Sequence, residues 1–300
     1  MPIIVNLFLA AIQPKTFFLP CAAIILGSGL AALNGVVDGV LFSSLLIITI
    51  LTQITFNLAN DYQRAFLTNS SVVNSKNPKI FTARGQMLKL ILGCYITTML
   101  ALMGLTYTST TSANTGYVLL ATIVISLLII LRVKTSAQQP KQTLELTLKP
   151  VTIFAQLSLV GALPTVVSYY LHTAQLPFDI MMVAFICGLL SLLVLLATQI
   201  KEFIKASPAI DSAAIPKPLK HLINAQKIVL ISTVIATALF IYFAYIPQLS
   251  GFFALSLPSI YAAIVTIEHY PETDVATSQV TKISISCFAY WVLFVIGMML

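Results

Sequence analysis

The order of apolar runs constrains this chain more than any other feature of its sequence. Nine runs of about membrane-spanning length follow one another from end to end, separated by charges, prolines or polar clusters. A helix needs about 20 mainly apolar residues to cross a hydrocarbon core about 30 Å thick. We therefore predict an all-α polytopic membrane protein with about nine transmembrane helices around a central cavity. The predicted spans are Thr16–Leu33, Val40–Leu58, Met87–Tyr107, Gly116–Leu131, Val151–Leu171, Ile180–Thr198, Ile228–Tyr245, Gly251–Ile267 and Ile283–Leu300.

The composition excludes a soluble enzyme. Hydrophobic residues make up 58% of the 300 residues and charged residues only 8%, whereas soluble domains contain about 45–50% and about 25%. The apolar runs extend along the whole chain, so no polar half is left to fold as a separate aqueous domain. We predict a single integral membrane domain over residues 1–300, surrounded by a lipid bilayer.

The distribution of lysine and arginine predicts the orientation. When the loops between the predicted helices are assigned to alternate sides, all sixteen Lys and Arg residues fall on one side. The other side carries only Asp38 and Asp179 as charges. Positive residues in short loops stay on the cytoplasmic side of a membrane, so we predict a cytoplasmic N-terminus. The net charge of +7 is then mainly a topology signal, and we expect no nucleic-acid partner.

Much of the positive charge lies in the two longest predicted loops, 63–86 and 201–227, which contain more than half of the sixteen basic residues. Both loops belong to the cytoplasmic set. A basic face above a membrane-embedded cavity attracts an anionic ligand such as a phosphate or diphosphate. The candidate anion-binding residues are Arg64, Lys76, Lys79, Arg84, Lys201 and Lys205.

Polar side chains mark the cytoplasmic ends of two predicted helices, and each helix leads into one of these basic loops. Both sets combine an amide with a carboxylate. They are Gln53, Asn57, Asn60 and Asp61 in the second span and Thr198, Gln199 and Glu202 in the sixth. The first set recurs at helical spacing, so its members share one face. Polar groups in a transmembrane helix are functional candidates; the alternative is that they are solvated helix ends.

Carboxylates at these two ends suggest a metal. Facing acids at the mouth of a cavity can hold Mg²⁺, which keeps some water ligands and bridges to phosphate oxygens of a substrate. The candidate metal ligands are Asp61 and Glu202, with Asp211 as a further acid in the second basic loop.

Several segments resemble the UbiA superfamily of intramembrane prenyltransferases, and within it the 1,4-dihydroxy-2-naphthoate prenyltransferase branch of menaquinone synthesis. The most specific is Asn57–Tyr62, N-L-A-N-D-Y, which is similar to the core motif of that branch. Gln13–Pro20, Phe154–Tyr170 and the Glu202-Phe203 pair are weaker matches. With these segments the resemblance covers essentially the whole chain.

The resemblance implies transfer of an isoprenyl chain from a prenyl diphosphate to an aromatic acceptor such as 1,4-dihydroxy-2-naphthoate, in a bacterial inner membrane. It implies catalytic roles for Asn60, Asp61 and Glu202, and Mg²⁺ as the cofactor. It also places Asn57, together with the basic residues of the two loops, at the diphosphate.

The chain departs from the family pattern at its acids. After Asn60-Asp61 the next two aspartate positions hold Arg64 and Thr68. The second motif retains Glu202, while residues such as Lys205 and Ala209 stand at the following acid positions. Three interpretations follow: an active enzyme with one Mg²⁺ or a partly cationic clamp, a protein that binds an isoprenoid or quinone without chemistry, or a structural relative.

A secondary transporter is the rival from another class, because transporters are also built from many helices with polar interruptions. Its polar sites would lie near the middle of the bilayer, whereas the polar residues here gather at one rim. Two further side-chain types are expected to be interfacial rather than catalytic. These are the tyrosines near span ends, Tyr62, Tyr107 and Tyr245, and His172.

Overall fold

The computed structural model describes residues 16–62, 78–108, 156–206, 215–244 and 246–300. Within these ranges the chain is almost entirely helical and contains no strand, which confirms the all-α prediction for the described part. A π-helical segment lies at Gln156–Ala162 and a 3-10 segment at Gln248–Ser256. The α-helices are α1 (Phe18–Leu33), α2 (Gly39–Tyr62), α3 (Pro78–Thr108), α4 (Leu163–Thr173), α5 (Phe178–Ala206), α6 (Lys217–Phe243), α7 (Leu257–His269) and α8 (Thr273–Met299).

Six helical stretches in the described part are long and apolar enough to cross a membrane. Five fall in α2, α3, α5, α6 and α8, and the sixth joins the 3-10 segment to α7. Helix α6 exposes large apolar side chains along its length, including Ile228, Ile231, Ile235 and Leu239. An apolar surface of this extent is suited to lipid rather than water. The chain is therefore an integral membrane protein, as its composition predicts.

The predicted spans can be compared with these helices one by one. Eight of the nine coincide with helical segments, and Gly116–Leu131 lies outside the described residues. Helix α1 has 16 residues and is shorter than the six candidate spans. The count of nine transmembrane helices stays a prediction.

The two long basic loops are largely helical where the structure describes them, so their predicted boundaries are wrong. Helix α3 already begins at Pro78, α5 continues to Ala206, and α6 begins at Lys217. Arg84, Lys201 and Lys205 consequently lie on helices. The physical reason is that a helix keeps its backbone hydrogen bonds beyond the hydrocarbon core, so a drop in hydropathy marks the membrane boundary rather than the helix end.

Two prolines account for the irregular helical segments. Pro164 lies in the first turn of α4, after the π-helical segment, and Pro258 lies in the first turn of α7, after the 3-10 segment. Proline has no N–H, and its ring clashes with the carbonyl four residues earlier. The irregular segment therefore ends just before each proline, and an α-helix with the proline in its first turn follows.

The chain divides into two compact units. Unit 1 comprises Met1–Phe17 and Ser43–Glu145, and unit 2 comprises Phe18–Phe42 and Leu146–Leu300. Each unit has its own apolar core. The prediction of one domain over residues 1–300 stays a prediction, and the two units are described separately below.

The core of unit 2 is built around α8, which packs against α1, α5, α7 and the 3-10 segment. Its aromatic side chains fill the centre: Trp291 lies edge-on to Tyr290 and Phe294, with ring centroids 5.2 and 5.4 Å apart. All three side chains are fully buried. The Tyr290 hydroxyl donates to Thr237 Oγ1 of α6 across 2.6 Å, so the polar end of the ring is satisfied inside the apolar core.

Two contacts within unit 2 join segments that the charge distribution assigns to the same side. The Asp38 N–H lies 3.4 Å from His172 Nδ1, and both residues belong to predicted far-side loops. Lys227 Nζ and Glu268 Oε2 form an ion pair of 2.6 Å, and both residues are predicted to be cytoplasmic. These contacts support the alternating assignment, while the orientation itself stays a prediction.

Candidate functional site

The last turns of α2 carry the polar stripe that the sequence predicts. Asn57 is buried, and its Nδ2 donates to Thr16 Oγ1 across 2.9 Å. The Gln53 Nε2 lies 3.4 Å from Asn57 Oδ1, a long contact between residues one turn apart. Asp61 follows one turn later and is partly buried. The stripe therefore forms part of the packed structure and is not a fully solvated helix end.

Tyr62, the last residue of α2, contacts a predicted anion-binding residue. Arg84 of α3 donates from Nε to the Tyr62 hydroxyl across 2.9 Å, and its guanidinium carbon lies 6.0 Å from the ring centroid. Tyr62 is only 2% exposed. The prediction that Tyr62 belongs to an interfacial aromatic belt stays a prediction. In this structure its ring is packed between helices, and its hydroxyl accepts a hydrogen bond from a cation.

An apolar seam sets the register of this contact. Ile54, Leu58 and Tyr62 recur every four residues on α2 and pack with Met87 and Ile91 of α3. Residues four apart lie one above another on a helix, so the two rows interlock over about two turns. The position of Arg84, about one turn before the first α3 residue of the seam, then brings its side chain beside the last residue of α2.

The predicted second motif lies on the last turns of α5, in unit 2. Lys201 Nζ is 3.3 Å from Glu202 Oε1, and the two side chains are 22% and 41% exposed. Lys205 is exposed. An ion pair between sequence neighbours at this exposure contributes little to stability, about 0–1 kcal/mol. The end of α5 thus presents charges to the surroundings and buries none of them completely.

Several predicted site residues lie outside what the structure describes. This holds for the whole of Arg64, Lys76 and Asp211, and for the side chains of Asn60 and Lys79. Of the predicted residues that the structure does describe, Asn57, Asp61 and Arg84 belong to unit 1, and Lys201, Glu202 and Lys205 belong to unit 2.

The donor set of unit 1 fits a Mg²⁺ ion only when a substrate supplies ligands. Among the described residues, no three His, Cys, Asp or Glu side chains come together as a metal site. Mg²⁺ at phosphate-transfer sites needs only one or two carboxylates, because phosphate oxygens and water complete its coordination. Asp61 can serve as such a carboxylate. Glu202 stays a predicted ligand, and in this structure it faces Lys201.

A second polar cluster, in unit 2, was not predicted. Ser28 Oγ of α1 lies 2.8 Å from Ser168 Oγ and 3.1 Å from His172 Nε2, both on α4. Ser168 Oγ donates to the Ile24 carbonyl across 3.0 Å. The Asp38 N–H reaches the other ring nitrogen of His172. We call these residues, Ile24, Ser28, Asp38, Ser168 and His172, the α1–α4 network.

Donors and acceptors fix the direction of this chain of hydrogen bonds. His172 Nδ1 accepts from a backbone N–H, so the neutral ring carries its proton on Nε2 and donates to Ser28. Ser28 then donates to Ser168, which donates to a carbonyl. Burial lowers the pKa of His172, with the nearby Asp38 carboxylate acting in the opposite direction. The network is thus satisfied when the histidine is neutral.

The sequence contains weak signals for this network. Ser168 and His172 are one turn apart on α4, and Ser28 lies between Gly27 and Gly29 in a run of small residues that permits close helix approach. A Cβ at Gly27 would come within 2.8 Å of Ser168 Cβ and would also meet the Thr165 carbonyl. The prediction that His172 is interfacial rather than catalytic stays a prediction, and in this structure the residue is 9% exposed.

Comparisons with known proteins found that no family model matches the chain and that no curated protein matches it significantly. The geometry that bears on function is the polar end of α2 together with Arg84 of α3.

Proposed function

We propose that this protein is an intramembrane prenyltransferase of the UbiA type. It transfers an isoprenyl chain from a prenyl diphosphate to an aromatic acceptor of the 1,4-dihydroxy-2-naphthoate kind. The observation that carries the proposal is the end of α2, where Asp61 of the N-L-A-N-D-Y segment directly precedes Tyr62, whose hydroxyl accepts from the Arg84 guanidinium. A carboxylate and a guanidinium at the end of a membrane helix are suited to a metal-bound diphosphate.

The proposed reaction develops negative charge on the diphosphate, which would lie at the end of α2. The bond between the allylic carbon and the diphosphate oxygen breaks, the diphosphate leaves with the electron pair, and an electron-rich ring carbon of the acceptor attacks the cation. The ring then regains aromaticity by losing a proton to the released diphosphate, or CO2 where the attacked carbon carries the carboxylate. Groups that stabilise the charge growing on the leaving group supply the largest catalytic term. Arg84 would bind the diphosphate directly, and Asp61 would hold Mg²⁺, which would neutralise part of the diphosphate charge.

The membrane setting supports the same reaction. A polyisoprenyl tail is as apolar as the lipid, and six of the described helical stretches are apolar enough to cross a membrane. Carrying out the ionisation among apolar helices keeps water away from the allylic cation, which water would otherwise capture. The asparagines and the carboxylate of α2, Asn57, Asn60 and Asp61, lie in its last two turns, which favours this function over a transporter with a midplane site.

The proposal includes the finer topology. Nine transmembrane helices with a cytoplasmic N-terminus put the α2 end and the charged end of α5 on the cytoplasmic side of a bacterial inner membrane. Diphosphate donors are charged and reach the enzyme from that side. The same-side contacts between Asp38 and His172 and between Lys227 and Glu268 support the alternation on which this topology is based.

Replacement of Asp61 tests the proposal. The full chain, purified into lipid nanodiscs, is incubated with Mg²⁺, prenyl diphosphates of several lengths, and 1,4-dihydroxy-2-naphthoate and related phenolic acids. We expect wild-type protein to form prenylated product. Asp61→Ala should lower the rate by about 100-fold or more, because it removes the ligand of the Mg²⁺ that would stabilise leaving-group charge.

The matched control is Asp179→Asn, which changes an exposed carboxylate in the first turn of α5 and should retain wild-type activity. Wild-type protein that forms no product across the whole panel would contradict the proposed function. If that protein still binds prenyl diphosphate, it is a binding protein without chemistry. Equal activity of Asp61→Ala and wild type would remove Asp61 from the mechanism.

A further inference from the structure

We propose that Tyr62 is a positioning residue that fixes the Arg84 guanidinium for a diphosphate group. The inference rests on the proposed function, because it assigns a phosphate ligand to Arg84. It begins from the contact in which Arg84 donates from Nε to the Tyr62 hydroxyl across 2.9 Å.

The Arg84 atom that contacts Tyr62 determines which donors of the guanidinium face a ligand. A guanidinium is planar and presents its donors along separate edges, so the atom that contacts the protein decides which edge is left for a ligand. Tyr62 binds Nε, so the bond does not use the paired Nη groups. Those two groups form the fork that matches two oxygens of a phosphate. The tyrosine therefore orients the guanidinium while the fork keeps its function.

The tyrosine is itself held firmly. Its ring is 2% exposed and continues the apolar seam of Ile54 and Leu58 against α3. A fixed hydroxyl limits the rotamers of the long arginine side chain before any ligand arrives. Less side-chain entropy is then lost on binding, which raises the affinity for the ligand. The contact thus joins the rigid Tyr62 side chain to the flexible Arg84 side chain.

Position along the chain links this pair to the predicted metal ligand. Tyr62 directly follows Asp61 at the end of α2. One helix end thus provides a carboxylate for Mg²⁺ and an acceptor that steers a cation. Mg²⁺ and a guanidinium bind different oxygens of the same diphosphate, so both groups are needed at one place. Where the family pattern calls for further acids, this chain depends more on a positioned cation.

A double-mutant cycle tests the inference. The full chain in nanodiscs is titrated with inorganic pyrophosphate and with geranylgeranyl diphosphate, in the presence of Mg²⁺, by calorimetry. Wild type is compared with Tyr62→Phe, Arg84→Ala and the double variant. Tyr62→Phe keeps the ring in the seam and removes only the hydroxyl. We expect it to weaken binding of both probes by about tenfold, the loss associated with one hydrogen bond to a charged group.

The positioning role makes a specific prediction for the cycle. If Tyr62 acts through Arg84, Tyr62→Phe should have no further effect once Arg84 is alanine. An equal loss in both backgrounds would overturn the inference, because a tyrosine with a purely structural role would weaken binding regardless of the arginine. Unchanged binding by Tyr62→Phe alone would overturn it as well. Tyr242→Phe, which removes an exposed hydroxyl from α6, is the control and should bind like wild type.

Activity separates this inference from the proposed function. If wild type transfers prenyl groups, Tyr62→Phe should raise KM for the diphosphate donor by about tenfold and change kcat much less, because the lost contact serves binding. Wild type that binds both probes with the expected coupling but forms no product would retain the positioning role and refute the transferase. Wild type that binds neither probe would refute both.

Discussion

Two polar regions within this membrane protein differ in the charge of the side chains that they contain. The groups that form hydrogen bonds in the α1–α4 network of unit 2 are neutral, because Asp38 contributes only its backbone N–H. Each bond leads to the next until the chain ends on the Ile24 carbonyl. At the end of α2 in unit 1, Asp61 provides a carboxylate and Asn57 donates to Thr16. The Tyr62 hydroxyl there accepts a hydrogen bond from the Arg84 guanidinium of α3. The first arrangement is complete by itself, and the second carries charges suited to an ion.

The difference shows how to separate structural from functional polar groups in a membrane protein. Buried polar groups stabilise helix packing when every donor finds an acceptor, because an unsatisfied group in an apolar setting costs about 1–3 kcal/mol. Ser28, Ser168 and His172 meet that condition with the histidine neutral. Asp61 at the end of α2 and Arg84 of α3 are ionisable groups, and under the proposed function they bind a charged substrate. Polarity alone would not have distinguished the two regions.

The largest effect should come from separating the helices of the network. Gly27→Val introduces a Cβ that would lie within 2.8 Å of Ser168 Cβ, and it would also meet the Thr165 carbonyl. The added side chain overpacks this contact, so helices α1 and α4 must move apart. The hydrogen bond from Ser28 then breaks. We expect the free energy of unfolding to fall by about 3 kcal/mol or more. Equilibrium unfolding of the purified protein in mixed micelles measures it.

Gly93→Val is the matched control for this substitution. Gly93 is exposed on α3, and a Cβ there meets no atom within 4 Å, so the change should cost much less. Similar losses for the two variants would mean that α1 and α4 do not approach closely at Gly27. The comparison between a packed network and an open site would then lose its structural basis.

Much of the fold could be predicted from the sequence, because long apolar runs identify the helices that contact lipid. Eight predicted spans coincide with helical segments in the described part. The helix ends were less predictable: Lys201 and Glu202 continue α5 into a region that was expected to be a loop. Charge identifies the membrane boundary, whereas backbone hydrogen bonding decides where a helix stops.

The candidate site could be predicted in part. The spacing of Asn57 and Asp61 places them on one face of α2, because that relation is local to a helix. The contact between Tyr62 and Arg84 depends on how α2 and α3 pack, which a single sequence does not specify. The network was still harder to predict, since Ser28 and Ser168 are 140 residues apart. Local geometry follows from spacing, and pairing between distant helices does not.

A smaller loss of stability is expected when one hydroxyl of the α1–α4 network is removed. Ser168→Ala deletes the acceptor for Ser28 and the donor to Ile24. We expect the free energy of unfolding to fall by about 1–2 kcal/mol, the cost of leaving a buried polar group without a partner. Prenyl-diphosphate affinity, measured by calorimetry, should remain that of wild type because the network takes no part in binding.

Ser232→Ala, at an exposed position on α6, serves as the control and should change stability by less than about 0.5 kcal/mol. A loss of diphosphate affinity in Ser168→Ala with unchanged stability would reverse the roles assigned to the two regions.

The smallest expected effect is a pH dependence of stability that arises from His172. Burial lowers its pKa in the folded protein, while the unfolded chain has the ordinary value of about 6.5. Above that value the histidine is neutral in both states, and its contribution is fully present. As the pH falls below about 6.5, the unfolded chain takes up a proton that the native ring resists, so stability declines until the pH passes the lowered value. The decline cannot exceed about 1.4 kcal/mol per pH unit for one group.

Unfolding measured at pH 7.5 and at pH 5.5 isolates this effect when wild type is compared with His172→Gln. The variant should be less stable at pH 7.5, because glutamine cannot reproduce both ring contacts, and it should lose less stability on acidification than wild type does. His221→Gln, which changes an exposed histidine of α6, should keep the wild-type slope. Equal slopes for wild type and His172→Gln would show that the network tolerates a charged histidine. Neutrality would then no longer distinguish the α1–α4 network from the charged end of α2.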